Sequence, residues 1–270
     1  MLRTVARMTL ATGMIIAGGI ASAQVSFDQL PPIPRADQAP SGAERGATPK
    51  VNIVYLVPSD RVVQQKYVSA LDGAVKSLQA WYGRQIPQHR TFRTASPVVH
   101  VVPLPHAAAW YADNPRPALF TQFWDNVLAD AFPLTGGGFN DPQNVWAYYI
   151  DADSACGQCG GCGTSGVLVI AANDLRGLVG EPWRPACPGD FDPGGPDRFI
   201  GGLGHELGHA FGLPHPPGCD QGSVQCDHDA LMWNGFRAYP YTYLRADEIA
   251  TLVNSPFFLL PPAKRRAVRH

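Results

Sequence analysis

Charge is scarce in this 270-residue chain: 16% of its residues are Asp, Glu, Lys or Arg, and glutamate occurs only four times. The two signs nearly cancel at a formal net charge of -1, with no groove-sized cluster of lysine and arginine. The phosphate electrostatics on which nucleic-acid binding depends therefore have no source here. No internal repeat is visible, and beyond one stretch near the N-terminus no apolar run is long enough to span a bilayer. Glycine and proline, by contrast, are plentiful at 28 and 26, without a fixed period, which excludes collagen and points to a loop-rich globule. A hydrophobic content of 45% is enough to bury a real core, and one domain is the default.

Met1 to Ala23 opens with Arg3 and Arg7, runs through apolar residues from Met8 to Ile20 and closes on Ala21-Ser22-Ala23. This is the pattern of a secretory signal peptide cleaved before Gln24. The apolar stretch is shorter than the roughly 20 residues a membrane helix needs and contains Gly13, Gly18 and Gly19, which argues against an anchor. The expected location is secreted or periplasmic, with no membrane association after cleavage. Residues 24–49 are rich in Pro, Ala, Gly and Gln with few large apolar groups, so they read as a flexible linker or short pro-segment. Residues 50–258 form the expected folded domain, and 259–270, basic from Lys264 onward, a solvated tail.

Export decides how the six cysteines are read, because an oxidising compartment favours disulfides. Cys219 and Cys226, a short interval apart, make the first expected pair. Cys156, Cys159, Cys162 and Cys187 would then staple a glycine-rich loop to the Cys187 region, the alternative being a second, structural zinc held by these four.

The β-rich run Val51–Val57 predicts a strand ended by Pro58. Ser59 or Asp60 is placed to cap a helix on which Val63, Tyr67, Leu71, Ala74, Leu78 and Trp81 recur at helical spacing. Val98–Val102 predicts a second strand. Phe120, Phe123, Trp124, Val127, Leu128 and Ala131 predict a helix after Pro117. Strands are expected at residues 144–151 and 166–172 with the cysteine-rich loop between them, and a short amphipathic helix at 245–253 with Ile249 and Leu252 inward.

The segment that carries chemistry is Gly204-His205-Glu206-Leu-Gly-His209-Ala-Phe-Gly212-Leu-Pro-His215. Two histidines four apart on a helix present their rings on one face, one turn above the other, with Glu206 beside them. Gly212 can take the left-handed conformation that ends a helix and turns the chain so that His215 swings back. Three nitrogens leave one position of a tetrahedral zinc open for water, as a catalytic site requires. Gly204 and Gly208 weaken the helix by about 1 kcal/mol each relative to alanine, which points to close packing.

This segment resembles the metzincin clan of zinc endopeptidases, whose signature is matched at every fixed position from His205 to His215. The resemblance implies an α/β (α+β) zincin-like domain with a mixed twisted sheet, an active-site helix and a short C-terminal helix. It also implies a methionine turn beneath the metal, which Ala230-Leu-Met232-Trp fits. The implied activity is hydrolysis of protein or peptide substrates by a monomer. His205, His209 and His215 would hold Zn²⁺, and Glu206 would take the proton of the attacking water. The strand at 166–172 resembles the clan's edge strand, which holds substrate extended by main-chain pairing.

Pro216 after the third histidine is similar to the serralysin-type subgroup, yet no glycine- and aspartate-rich calcium repeats follow. Where some subgroups place a tyrosine ligand, two residues past the methionine, this chain has Asn234. Tyr239, Tyr241 and Tyr243 remain candidates for a phenol, with structural roles as the alternative. No cysteine lies between Gln24 and Val51 to act as a switch. Asp190, Asp192 and Asp197, with Asp227 and Asp229, offer oxygen to a Ca²⁺ ion without a recognised spacing, solvated loop acids being the alternative. Glu248 as third ligand in place of His215, and His228 as a competing ligand, are weaker readings. A function of another class, an exported zinc-stabilised binding or adhesion module without turnover, has no use for Glu206.

Overall fold

Apart from Asn52 the run Val51–Val57 is apolar, and a strand can be so only when both its faces are covered. The computed structural model, which describes residues 48–190 and 194–260, shows that cover. In chain order the elements are β1 (Lys50–Val57), α1 (Gln65–Gln85), β2 (Thr91–Phe92), β3 (Thr94–Pro103), α2 (Ala108–Asp113), α3 (Leu119–Thr135), β4 (Asn144–Ile150), β5 (Gly161–Thr164), β6 (Val167–Ile170), α4 (Ala172–Leu178), α5 (Pro196–Ala210), α6 (Ala246–Val253) and β7 (Phe258–Leu259). The five-stranded sheet has the order β3-β1-β4-β6-β5. Its first four strands run parallel, and β5 pairs antiparallel to β6. The chain is thus a mixed α/β fold with a mostly parallel central sheet.

Alternate residues of β1 feed two cores. Ile53, Tyr55 and Val57 face a cluster with Leu71, Leu78 and Trp81 of α1 and Leu203 and Leu207 of α5. Val54 and Leu56 face Tyr111 of α2 and Phe123, Trp124 and Val127 of α3. Leu71, Leu78, Leu203 and Leu207 are fully buried, each stabilising by about 1.5–3 kcal/mol relative to exposure. No helix among the described residues is long and apolar enough to cross a membrane. The signal-peptide pattern, most of the linker, Asp192 and the tail from Pro261 lie outside the described residues.

The expected capping of α1 is corrected. The helix starts at Gln65 after Gln64, with no side-chain cap, and Val63 is exposed. The turn at Pro58 gives Ser59 and Asp60 other partners: Ser59 donates its N–H to His106 O, and the Asp60 carboxylate accepts the N–H of Ala108 at the start of α2. The edge-strand expectation is corrected too. β6 lies inside the sheet, and the edge is β5, a strand hidden in sequence by its glycines and its cysteine. The sequence pattern also misses α2, α4 and the antiparallel pair of β2 with β7.

All six cysteines are in disulfides, Cys156–Cys187, Cys159–Cys162 and Cys219–Cys226, so none is left for a structural zinc. The expected Cys219–Cys226 pair is present. Cys156 ties the glycine-rich loop to Cys187, while Cys159 and Cys162 close the loop on itself.

Candidate metal centre

Helix α5 brings His205 and His209 together as their spacing requires, with ring centroids 4.6 Å apart. The turn that follows is a Schellman motif. Gly212 sits at φ +92°, its N–H bonds to His209 O at 2.9 Å, and the N–H of Leu213 bonds to Gly208 O at 2.9 Å. A side chain at that φ would be strained, and the reversal it permits delivers His215 to the other two. The Nε2 atom of His209 lies 3.1 Å from that of His205 and 3.1 Å from that of His215.

Each ring is fixed through its other nitrogen. His205 Nδ1 donates to Leu231 O at 2.8 Å and His209 Nδ1 to Leu213 O at 2.8 Å, and a carbonyl can only accept. His215 Nδ1 donates to the Asp220 carboxylate at 2.7 Å. Burial holds His205 down to about 4 and His209 well below its ordinary value, so these two rings are neutral and carry their proton on Nδ1. Their Nε2 atoms and that of His215 converge on one small volume, as the ligands of a metal do. Two nitrogens bound to one tetrahedral zinc at about 2.0–2.1 Å stand about 3.3 Å apart, and the spacing here fits that donor set. Among the described residues this is the one group of three histidine, cysteine or acidic side chains close enough to hold an ion, with ligand atoms within 4.8 Å of one another.

Gly208 and Gly204 pack closely, as their cost predicts. A Cβ on Gly208 would lie 2.2 Å from the Met232 sulfur, and one on Gly204 would lie 2.9 Å from Leu78. Met232 is fully buried, packed against α5 at Gly208. Its neighbour Trp233 meets the His215 ring edge-on at 4.8 Å, and Phe236 lies 5.2 Å from the His205 ring.

Glu206 is half-buried beside His205, and its Oε2 is an inaccessible atom with no hydrogen-bond partner among the described residues. Burial, reinforced by the charge of Asp174 and opposed by Arg198, pushes its carboxyl up to about 8. A cavity of about 290 Å³ opens there, lined by Glu206, Gly161, Asp174, Trp183, Arg198 and Phe236 among others. Arg198 Nη1 is 3.5 Å from Asp174 Oδ1, and its guanidinium lies over the Phe236 ring at 5.0 Å. Burial pushes Asp174 up to about 6 although Arg198 and Arg176 pull it down. The edge strand β5 borders the same cavity. Gly163 is pressed against the helix, where a Cβ would stand 2.3 Å from Glu206 O, and the outer side of β5 pairs with no strand among the described residues.

The other candidates lie elsewhere. Glu248 accepts the N–H of Arg245 at 2.8 Å as part of the α6 cap, and His228 is exposed. Tyr239 bonds Ser77 and Tyr243 bonds Asp227, while Tyr241 is exposed. The calcium reading finds no support, because Asp190 accepts the N–H of Cys187, Asp227 is engaged by Tyr243 and Arg245, and no acidic cluster forms among the described residues. Asp220, Trp233, Asp174, Arg198 and β5 escaped sequence reasoning. Only Trp233, next to the expected methionine turn, carried a local signal.

No family model and no curated protein matches the chain. Among solved structures it is similar to catalytically inactive OgpA from Akkermansia muciniphila in complex with an O-glycopeptide (glycodrosocin) substrate, at TM-score 0.50 and 16% identity, covering 80% of this chain and 63% of that one. Wild-type OgpA gives TM-score 0.49 at 18% identity with the same coverage. Archaemetzincin from Methanopyrus kandleri gives 0.41 at 16% identity, covering 79% of this chain and 98% of that one. The chain spans less than two thirds of the OgpA chains, and the likeness to the glycopeptide complex is one of fold.

Proposed function

We propose that the chain is a secreted zinc-dependent endopeptidase of the metzincin type, in which His205, His209 and His215 hold the ion and Glu206 is the general base. The observation that carries this reading is the meeting of three histidine Nε2 atoms at one small volume, beside the half-buried Glu206 carboxyl, whose Oε2 has no partner among the described residues. Zinc bound there would polarise a peptide carbonyl and acidify a water molecule. Glu206 would accept the water proton and pass it to the leaving amine. The unpaired edge of β5 offers main-chain groups on which a peptide could lie extended, with one side chain entering the Asp174–Arg198 cavity. The resemblance of His205–His215 to the metzincin signature and the fold shared with OgpA support the same reading.

The test is digestion of a mixed peptide library by the purified chain, with and without a chelator. O-glycosylated peptides belong in the library because the OgpA complex holds one. Cleavage abolished by chelation and restored by zinc is expected, and Glu206→Gln should retain zinc while losing cleavage by 10²-fold or more, roughly the contribution of general base catalysis. Zinc bound without cleavage by the parental chain, or cleavage by Glu206→Gln at the parental rate, would overturn it.

A further inference from the structure

The three histidines are not anchored alike. His205 and His209 donate to main-chain carbonyls of the buried residues Leu231 and Leu213, whereas His215 donates to the side chain of Asp220, itself part of a loop. That loop is eight residues closed by Cys219–Cys226, whose Cα atoms are 4.5 Å apart. Inside it, Gly222 N–H bonds Cys219 O at 3.0 Å and Cys226 N–H bonds Ser223 O at 3.0 Å. The disulfide is buried, and it packs with Trp233 in a small cluster separate from both main cores. Trp233 is the residue whose ring abuts His215. Two of the contacts on the His215 ring, the hydrogen bond to Asp220 and the aromatic edge of Trp233, therefore lead back to one covalent link.

We propose that Asp220 is a positioning residue for the third histidine and that the Cys219–Cys226 disulfide is what positions Asp220. This rests on the reading of the histidines as a zinc site. A carboxylate on Nδ1 fixes the tautomer and plane of the imidazole and raises the basicity of Nε2, and loss of such a partner typically weakens metal binding by 10–100-fold. His215 needs the help more than the other two. It lies beyond the helix end on the stretch Pro214-His215-Pro216-Pro217, where Pro216 and Pro217 have no backbone N–H to tie the segment down.

The experiment measures the zinc dissociation constant of the purified chain by competition with a chromophoric chelator, and the visible absorption of the Co²⁺-loaded protein. Asp220→Ala should bind zinc about 10–100-fold more weakly and shift the Co²⁺ bands while its far-ultraviolet circular dichroism stays parental. Asp220→Asn, which keeps an acceptor and loses the charge, should recover part of the affinity. Cys219→Ser with Cys226→Ser should weaken binding by a similar factor, and adding Asp220→Ala to it should cost little more, since both remove one support. Val224→Ala, in the same loop but 99% exposed, should change nothing. Parental affinity in Asp220→Ala, or losses from the cysteine and aspartate variants that multiply, overturns the inference and leaves the zinc reading intact. A parental chain that binds no zinc overturns both. Should the cysteine variant not fold, Asp220→Ala and Asp220→Asn decide the matter.

Discussion

Replacing Gly163 by alanine tests the contact between β5 and α5 with one methyl group. Its φ is not in the left-handed region, so alanine brings no backbone strain, and in a strand it would ordinarily be preferred to glycine. What it meets is the main chain of α5: the new Cβ would stand 2.3 Å from the carbonyl oxygen of Glu206. Carbon and carbonyl oxygen pack at about 3.3 Å or more, so β5 and the helix must part by about 1 Å. The helix is the less able to yield, because Leu203 and Leu207 are locked in the core and Gly208 lies against Met232. Overpacking of this kind costs about 1–3 kcal/mol, a fall of roughly 2–12 °C in melting temperature for a domain of this size. A displacement near 1 Å at the proposed reacting centre costs about 10²-fold in rate, whereas His205 and His209 project from other positions of the helix and His215 lies beyond its end, so zinc should be held as before. Calorimetry, zinc titration and kcat/KM on a library peptide separate these effects. A variant with parental melting temperature and parental cleavage would refute the close packing of β5 on Glu206.

Removal of the ion should destabilise the fold. An ion held at a thousand times its dissociation constant contributes about 4 kcal/mol, so a chelator should lower the melting temperature by roughly 8–16 °C, and an unchanged midpoint would count against a bound metal. Glu248 should impose a pH dependence of its own. Burial pushes its carboxyl from an ordinary 4.5 up to about 7, and its Oε1 has no partner among the described residues. Between those values the folded chain holds a proton that the unfolded chain has lost, so stability falls as pH rises through the window and levels off above it. Urea midpoints at pH 4.5 and pH 8 should differ less in Glu248→Gln than in the parental chain, and equal slopes would remove Glu248 as the cause.

What the sequence makes legible is what local geometry encodes. The strand at residues 51–57, the helix faces of α1 and α3 and the strand β4 follow from periodicity, which depends only on the neighbouring turn or pleat. The convergence of His205, His209 and His215 belongs to the same class, since one helical turn and one glycine reversal are short-range facts. The Cys219–Cys226 pair is likewise local. β5 failed because its sequence, Gly-Cys-Gly-Thr, has neither alternation nor bulk. Its glycines serve a helix more than 40 residues away, so the constraint that selects them cannot be seen in the strand itself. The cap of α1 failed for a related reason: Asp60 has the right chemistry to cap, but its partner is the first residue of a different helix.

The surroundings of the histidines show where such reading stops. A ligand set is specified by spacing, yet the tautomer that makes each nitrogen a donor to a metal is specified by the acceptor on the other side of the ring. Two of those acceptors are backbone carbonyls, which every residue possesses, so no pattern of side chains announces Leu213 or Leu231. The third is a side chain, Asp220, and it is five residues past its histidine with no rule tying that interval to a hydrogen bond. It becomes predictable only once the disulfide is known to fold the loop back. The same holds for Glu206, whose proton affinity is set by burial and by Asp174, a residue of α4 that no motif connects to it. Residue identity thus fixes which atoms can take part, while packing between distant segments decides which protonation state they take, and that state is what a hydrolytic centre depends on.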